Sequence, residues 1–115
     1  MKIRTSKMVL WSLLLLGATQ VPARNYIITD TNDTTALTSL RGAIIDANEH
    51  GGINFILFST AAGSSHPPGT PWVLYLTRTG AYEDAAHTGD LDVRKGQLTI
   101  TGPAAGVTID ATSLW

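Results

Sequence analysis

The stretch Gly89-Asp90-Leu91-Asp92-Val93 runs into Gln97-Leu98-Thr99-Ile100-Thr101-Gly102 and then Gly106-Val107-Thr108-Ile109-Asp110. It contains two aliphatic–Thr–aliphatic segments nine residues apart, joined by Gly102-Pro103-Ala104-Ala105-Gly106. Short runs of this composition bounded by Gly and Pro read as strands. Tight hairpins favour two-residue turns of Asn-Gly or Asp-Gly type, and none joins these strands. The rhythm predicts a chain that coils in short parallel strands instead of folding back on itself.

Further strands lie upstream. Asn25-Tyr26-Ile27-Ile28-Thr29 reads as the first, closed by the Asp30–Thr35 turn cluster. Ile53-Asn54-Phe55-Ile56-Leu57-Phe58 is an apolar run suited to a buried strand, and Trp72-Val73-Leu74-Tyr75-Leu76 is another. Between them, His66-Pro67-Pro68-Gly69-Thr70-Pro71 cannot join a ladder, because each Pro lacks a donor. The period changes once. Leu37, Leu40, Ile44 and Ala47 fall on one helical stripe. Ser39 is placed to cap the helix and Gly51-Gly52 to stop it. The expected helix is Ser39 to Glu49, with Arg41, Asp46 and Glu49 facing water.

A single helix ahead of nearly all the strands disfavours a doubly wound sheet. The expected fold is therefore all-β: a short parallel β-helix, or solenoid, with an N-terminal amphipathic capping helix. Solenoids need caps, because an open first rung exposes apolar side chains and unpaired backbone. Leu37, Leu40 and Ile44 are expected to cover the interior. Ile56, Phe58, Val73, Leu98, Ile100, Val107 and Ile109 are expected to fill it.

The first residues address the compartment. Lys2, Arg4 and Lys7 form a positive n-region ahead of an apolar Met8–Ala18 run, and Val21-Pro22-Ala23 supplies a cleavage site before Arg24. The apolar run is too short for a bilayer-spanning helix, which needs about 20 residues. The expected organisation is residues 1–23 as signal peptide and 24–115 as one domain, secreted or held at the cell surface, with no stable membrane span after cleavage. That domain carries five Lys or Arg against nine Asp or Glu, a balance of −4, without a basic cluster. A nucleic-acid partner is not expected. Cysteine is absent, so packing and backbone ladders must supply the stability.

Thr38-Ser39-Leu40-Arg41-Gly42-Ala43-Ile44, followed by Asp46-Ala47-Asn48, resembles the motif that names the CSLREA-domain family. The later Gly89–Val93, Leu98–Gly102 and Val107–Asp110 blocks are similar to what that family carries after its helix, in the same order. The resemblance covers Asn25 to Ala111. It implies the N-terminal part of an exported, adhesin-like, right-handed parallel β-helix protein, and it carries over no catalytic residue. The motif's Cys is Thr38 here and its Glu is Gly42. Gly inside a helix costs about 1 kcal/mol relative to Ala, a cost that a close approach to the first coil would explain. Family members continue into further coils, whereas this sequence stops at Trp115, so a truncated fragment is one reading of the chain. In that case the last strand leaves an open C-terminal rung that invites self-association.

The functional expectation is a non-catalytic N-terminal module of an exported surface or adhesin-like protein. No catalytic, cofactor-binding or metal-ligating residue is assigned, and no cofactor. Its partners would be an extracellular glycan or a host or cell-surface protein. The alternative is a carbohydrate-binding or carbohydrate-active protein using the acidic Glu83–Asp92 loop, with Glu83, Asp84, Asp90 and Asp92 as oxygen ligands for Ca²⁺ or as a carboxylate pair. The EF-hand spacing and the Gly-rich nonapeptide repeat are both missing, and Asp beside Gly is ordinary turn chemistry. A polysaccharide lyase or glycosidase is disfavoured, because no nearby Arg or His offers a clear base or charge stabiliser and the groove of a long β-helix is missing.

Overall fold

The computed structural model describes residues 22–59, 66–80 and 85–114. Its elements are β1 (Ala23–Ile28), α1 (Leu40–His50), β2 (Ile53–Phe58), β3 (Trp72–Tyr75), β4 (Gln97–Thr101) and β5 (Val107–Asp110), then a 3₁₀ turn at Thr112–Leu114. The expected signal peptide lies outside the described residues except for Pro22 and Ala23. Among the described residues no helix is long and apolar enough to cross a membrane.

Helix α1 begins and ends where its capping chemistry dictates. Ser39 is extended (φ −102°, ψ 156°), and its Oγ accepts from the Gly42 amide at 3.3 Å. Gly51 adopts φ 65°, a conformation that favours glycine, and its amide donates to the Ala47 carbonyl at 2.8 Å.

The strands pair in two parallel sheets. One has the order β1-β2-β4 and the other joins β3 to β5. Alternation sets the buried columns. Tyr26, Ile56 and Ile100 stand in register across the first sheet, Trp72 beside Val107 and Leu74 beside Ile109 across the second. The core joins both sheets and the helix through Tyr26, Ile28, Leu40, Ala43, Ile44, Ile56, Trp72 and Leu74. Phe58 meets Trp72 edge-on with ring centres 5.2 Å apart, and His66 stacks on Trp72 at 4.3 Å.

The fold class expected from sequence is corrected. Over the described residues the chain is a small α/β domain with a three-stranded and a two-stranded parallel sheet and one α-helix, and no closed or solenoid sheet occurs among them. Residues 24–115 are thus not an all-β, right-handed β-helix with a detached cap. The physical reason lies in α1. Parallel neighbours need a long crossover connection. Here α1 is that crossover between β1 and β2, packed on both strands. Strand rhythm reports parallel pairing but does not distinguish a helical crossover from a coil.

Several core assignments also change. Leu40, Ile44 and Ile56 are buried, and Phe58, Leu98 and Val107 pack partly buried against the core. Leu37 is 56% exposed, ahead of the helix. In β3 both faces are apolar, so alternation alone does not choose between them. Trp72 and Leu74 turn inward and Val73 outward. Ile100 and Ile109 lie on the inward columns yet remain 44% and 45% exposed, because each belongs to the last strand of its sheet.

Candidate functional site

Helix α1 buries a second face, one that sequence periodicity assigned to water. Arg41 is 1% exposed, against the expectation that it is solvated. Its guanidinium forms a two-pronged ion pair with the buried Asp33 carboxylate, Nε to Oδ1 and Nη2 to Oδ2 at 3.2 Å. Nη1 donates to the Ala86 carbonyl and Nη2 to the Gly89 carbonyl, both at 2.7 Å. Asp33 Oδ2 also accepts from the Thr77 and Arg78 amides, at 2.6 and 2.9 Å. The planar fork of arginine suits such a two-pronged contact. One ion pair therefore ties together the turn before α1, the segment after β3 and the 86–90 segment.

Two helical turns further on, Asn48 does the same for the next stretch of chain. Its Nδ2 donates to the Asp92 carbonyl at 2.7 Å, and its Oδ1 accepts from the Arg94 amide at 2.8 Å. Arg41 and Asn48 are seven residues apart, which places them on one side of a helix. The i, i+7 spacing marks a shared face, and the groups that bury it lie 44 to 49 residues away along the chain.

Burial alone would push the Asp33 carboxyl up. The Arg41 hydrogen bond, the two amides and the Arg41 charge overcome this and hold it below the ordinary carboxylate range. The folded protein therefore favours the ionised form more than the unfolded chain does. The associated stability is fully present above the unfolded value of about 4 and is lost as pH falls through the folded one. Thermal unfolding followed from neutral to acid pH should show the midpoint dropping below about pH 4. Asp33→Asn should lower the neutral midpoint and flatten that acid limb, and an unchanged limb would refute the assignment.

At the other end of α1, Asp46 accepts from the Tyr26 hydroxyl at 2.8 Å and pairs with Arg24 at 3.4 Å. Burial, then the Asp46 hydrogen bond and charge, raise the Tyr26 hydroxyl above its ordinary value, with Arg24 opposing. Asp46, Glu49 and His50 bring one ligand atom each to within 4.8 Å of one another. Sequence reading did not single out this Asp-x-x-Glu-His spacing. The Asp46 carboxylate is already engaged by Tyr26 and Arg24, and Glu49 and His50 are exposed.

The acidic loop expected from sequence divides. Glu83 and Asp84 lie outside the described residues. Asp90 and Asp92 serve α1 through their backbone carbonyls, with Arg41 reaching the Asp90 carbonyl at 3.4 Å. The Asp90 side chain is exposed and that of Asp92 part-exposed. An open cleft of about 420 Å³ adjoins this segment, with Glu49, His87, Arg94 and Lys95 on its walls. Its charges are of both signs.

Comparison of the chain with family models, with curated proteins and with solved structures finds no match.

Proposed function

We infer that this chain is a non-catalytic structural module of an exported surface protein, as the CSLREA-like residues imply. The observation that carries the reading is where those residues are spent. Within the Thr38–Asn48 block, Ser39, Arg41 and Asn48 are buried and bonded to backbone or to Asp33. Asp46 is bonded to Tyr26 and Arg24. A motif whose polar side chains are consumed by internal contacts serves folding. Chemistry would need polar groups left free at a cleft. Its partners would then be an extracellular glycan or a cell-surface protein, met by the exposed surface.

Export is tested directly. Cells producing the full chain are fractionated and the product's N-terminus is read by mass spectrometry. The expected product is extracellular or surface-bound and begins at Arg24, one residue into β1, with the Arg24–Asp46 pair retained. A product that keeps Met1 and stays inside the cell would overturn the reading.

A further inference from the structure

The five Lys and Arg side chains of residues 24–115 are used unequally. Arg24 is paired with Asp46 and Arg41 with Asp33, and Arg78 Nε donates to the His87 carbonyl at 3.0 Å. Arg94 and Lys95 are exposed, and among the described residues neither side chain has an ion pair or a hydrogen bond. Both line the open cleft of about 420 Å³, together with His87 and, on the helix side, Glu49. In a domain that is negative on balance, the two unengaged cations fall on one concavity.

The backbone that carries them is fixed on both sides. The buried Asn48 side chain accepts from the Arg94 amide at 2.8 Å and donates to the Asp92 carbonyl at 2.7 Å. On the far side Gly96 has φ 73°, and a Cβ there would overlap the Gly52 carbonyl. That carbonyl accepts from the Gln97 amide at 2.7 Å. Arg94 and Lys95 thus stand between two anchors on the end of α1. The His87 wall is anchored as well. Ala86 before it is buried at φ 62°, a conformation unfavourable for a residue with a Cβ. Arg41 holds it there through its carbonyl.

We propose that this cleft is a binding site for a sugar that bears a carboxylate, a uronate unit of an extracellular glycan. A guanidinium takes a carboxylate through two parallel hydrogen bonds, and Lys95 adds a second positive charge. The Glu49 carboxylate, when ionised, only accepts hydrogen bonds. It therefore suits hydroxyl donors and opposes a second anionic group on the ligand. A sugar with one negative charge and several hydroxyls matches both kinds of wall. A dense polyanion matches one and is repelled by the other. The volume falls within the range of about 300–1,000 Å³ typical of small-ligand sites, and walls already fixed lose little freedom on binding. The inference rests on the glycan partner named above, and narrows it to an acidic sugar.

The full chain, labelled with nitrogen-15, is titrated with glucuronate, with glucose and with inorganic sulfate. Glucuronate and glucose differ only in the carboxylate. Glucuronate should move the amide signals of residues 85–95 and of the last turn of α1 saturably, and glucose should not. Sulfate should bind these amides more weakly than glucuronate, because it offers Glu49 no hydroxyl. Arg94→Ala with Lys95→Ala should weaken glucuronate binding by about tenfold or more at an unchanged thermal midpoint, since both side chains are exposed. Arg94→Lys should keep the charge and still bind less well. No saturable shift, equal binding of glucose, sulfate binding as tightly as glucuronate, or undiminished binding by the double variant would each overturn the proposal. The titration reads binding alone and the fractionation reads export alone, so either reading can fail without the other.

Discussion

Arg41→Ala should destabilise the domain by about 3–5 kcal/mol, the cost of leaving one partner of a buried ion pair alone. Small domains have about 5–15 kcal/mol of stability in total, so this one substitution removes a large fraction. The loss has three parts. Asp33 keeps a buried charge without its cation, although the Thr77 and Arg78 amides still reach it. The Ala86 and Gly89 carbonyls lose their donor. A cavity opens where the guanidinium stood.

Arg41→Lys should recover little, because an ammonium group cannot reproduce the two-pronged contact and the two carbonyl bonds together. Urea unfolding of Arg41→Ala, Asp33→Ala and the double variant provides the measurement. The double variant should be less destabilised than the two single losses added, by about 0.5–3 kcal/mol. Strict additivity would show that the pair is not coupled. Proteolysis should also reach the 85–90 segment of Arg41→Ala sooner than in the unaltered chain, because Arg41 ties Ala86, Gly89 and Asp90 to the helix.

Gly42→Ala should destabilise as well, against the usual rule. At an exposed helical site the change stabilises by about 1 kcal/mol. Gly42 is buried, and a Cβ built there overlaps the Ala36 carbonyl and comes within 2.6 Å of the Thr35 carbonyl oxygen. Both are backbone atoms of the turn that leads into α1, and the Ser39 hydroxyl donates to the Thr34 and Ala36 carbonyls. The turn cannot yield without loosening the N-cap. Overpacking of this kind costs about 1–3 kcal/mol or more, which outweighs the propensity gain. The expected result is a lower thermal midpoint for Gly42→Ala and a lower one still for Gly42→Val. A midpoint that rises in Gly42→Ala would mean that the turn has room to move.

Gly42 also illustrates how far sequence reasoning reaches. It was legible as a departure from the motif, and the expected reason was a close approach to the first coil. The segment that lies against it is instead the turn at residues 35–36. Residues 35–36 precede the helix by only a few positions, and nothing in their composition signals that the turn folds back over α1. The five strand segments were readable because each carries aliphatic or aromatic residues between Gly, Pro or Asx punctuation. The helix was readable from one apolar stripe, with Ser39 and Gly51 as its ends.

Arg41 was misread for a physical reason. Periodicity separates apolar from polar, and it assigns a charged side chain to water by default. Whether such a side chain is solvated or buried depends on what is brought to it. Asp33, Ala86 and Gly89 are 8, 45 and 48 residues away along the chain.

The sequence by itself therefore determined where the local elements lie, how α1 is capped and that the strands avoid tight hairpins. These depend on dihedral preferences and on contacts within a few residues. Only the tertiary structure decided that α1 is a crossover within a βαβ unit, that Trp72 and not Val73 turns inward, and that Arg41 and Asn48 are buried clamps. Those outcomes are set by long-range packing and by backbone groups distant in the chain, whose pairing no local pattern encodes.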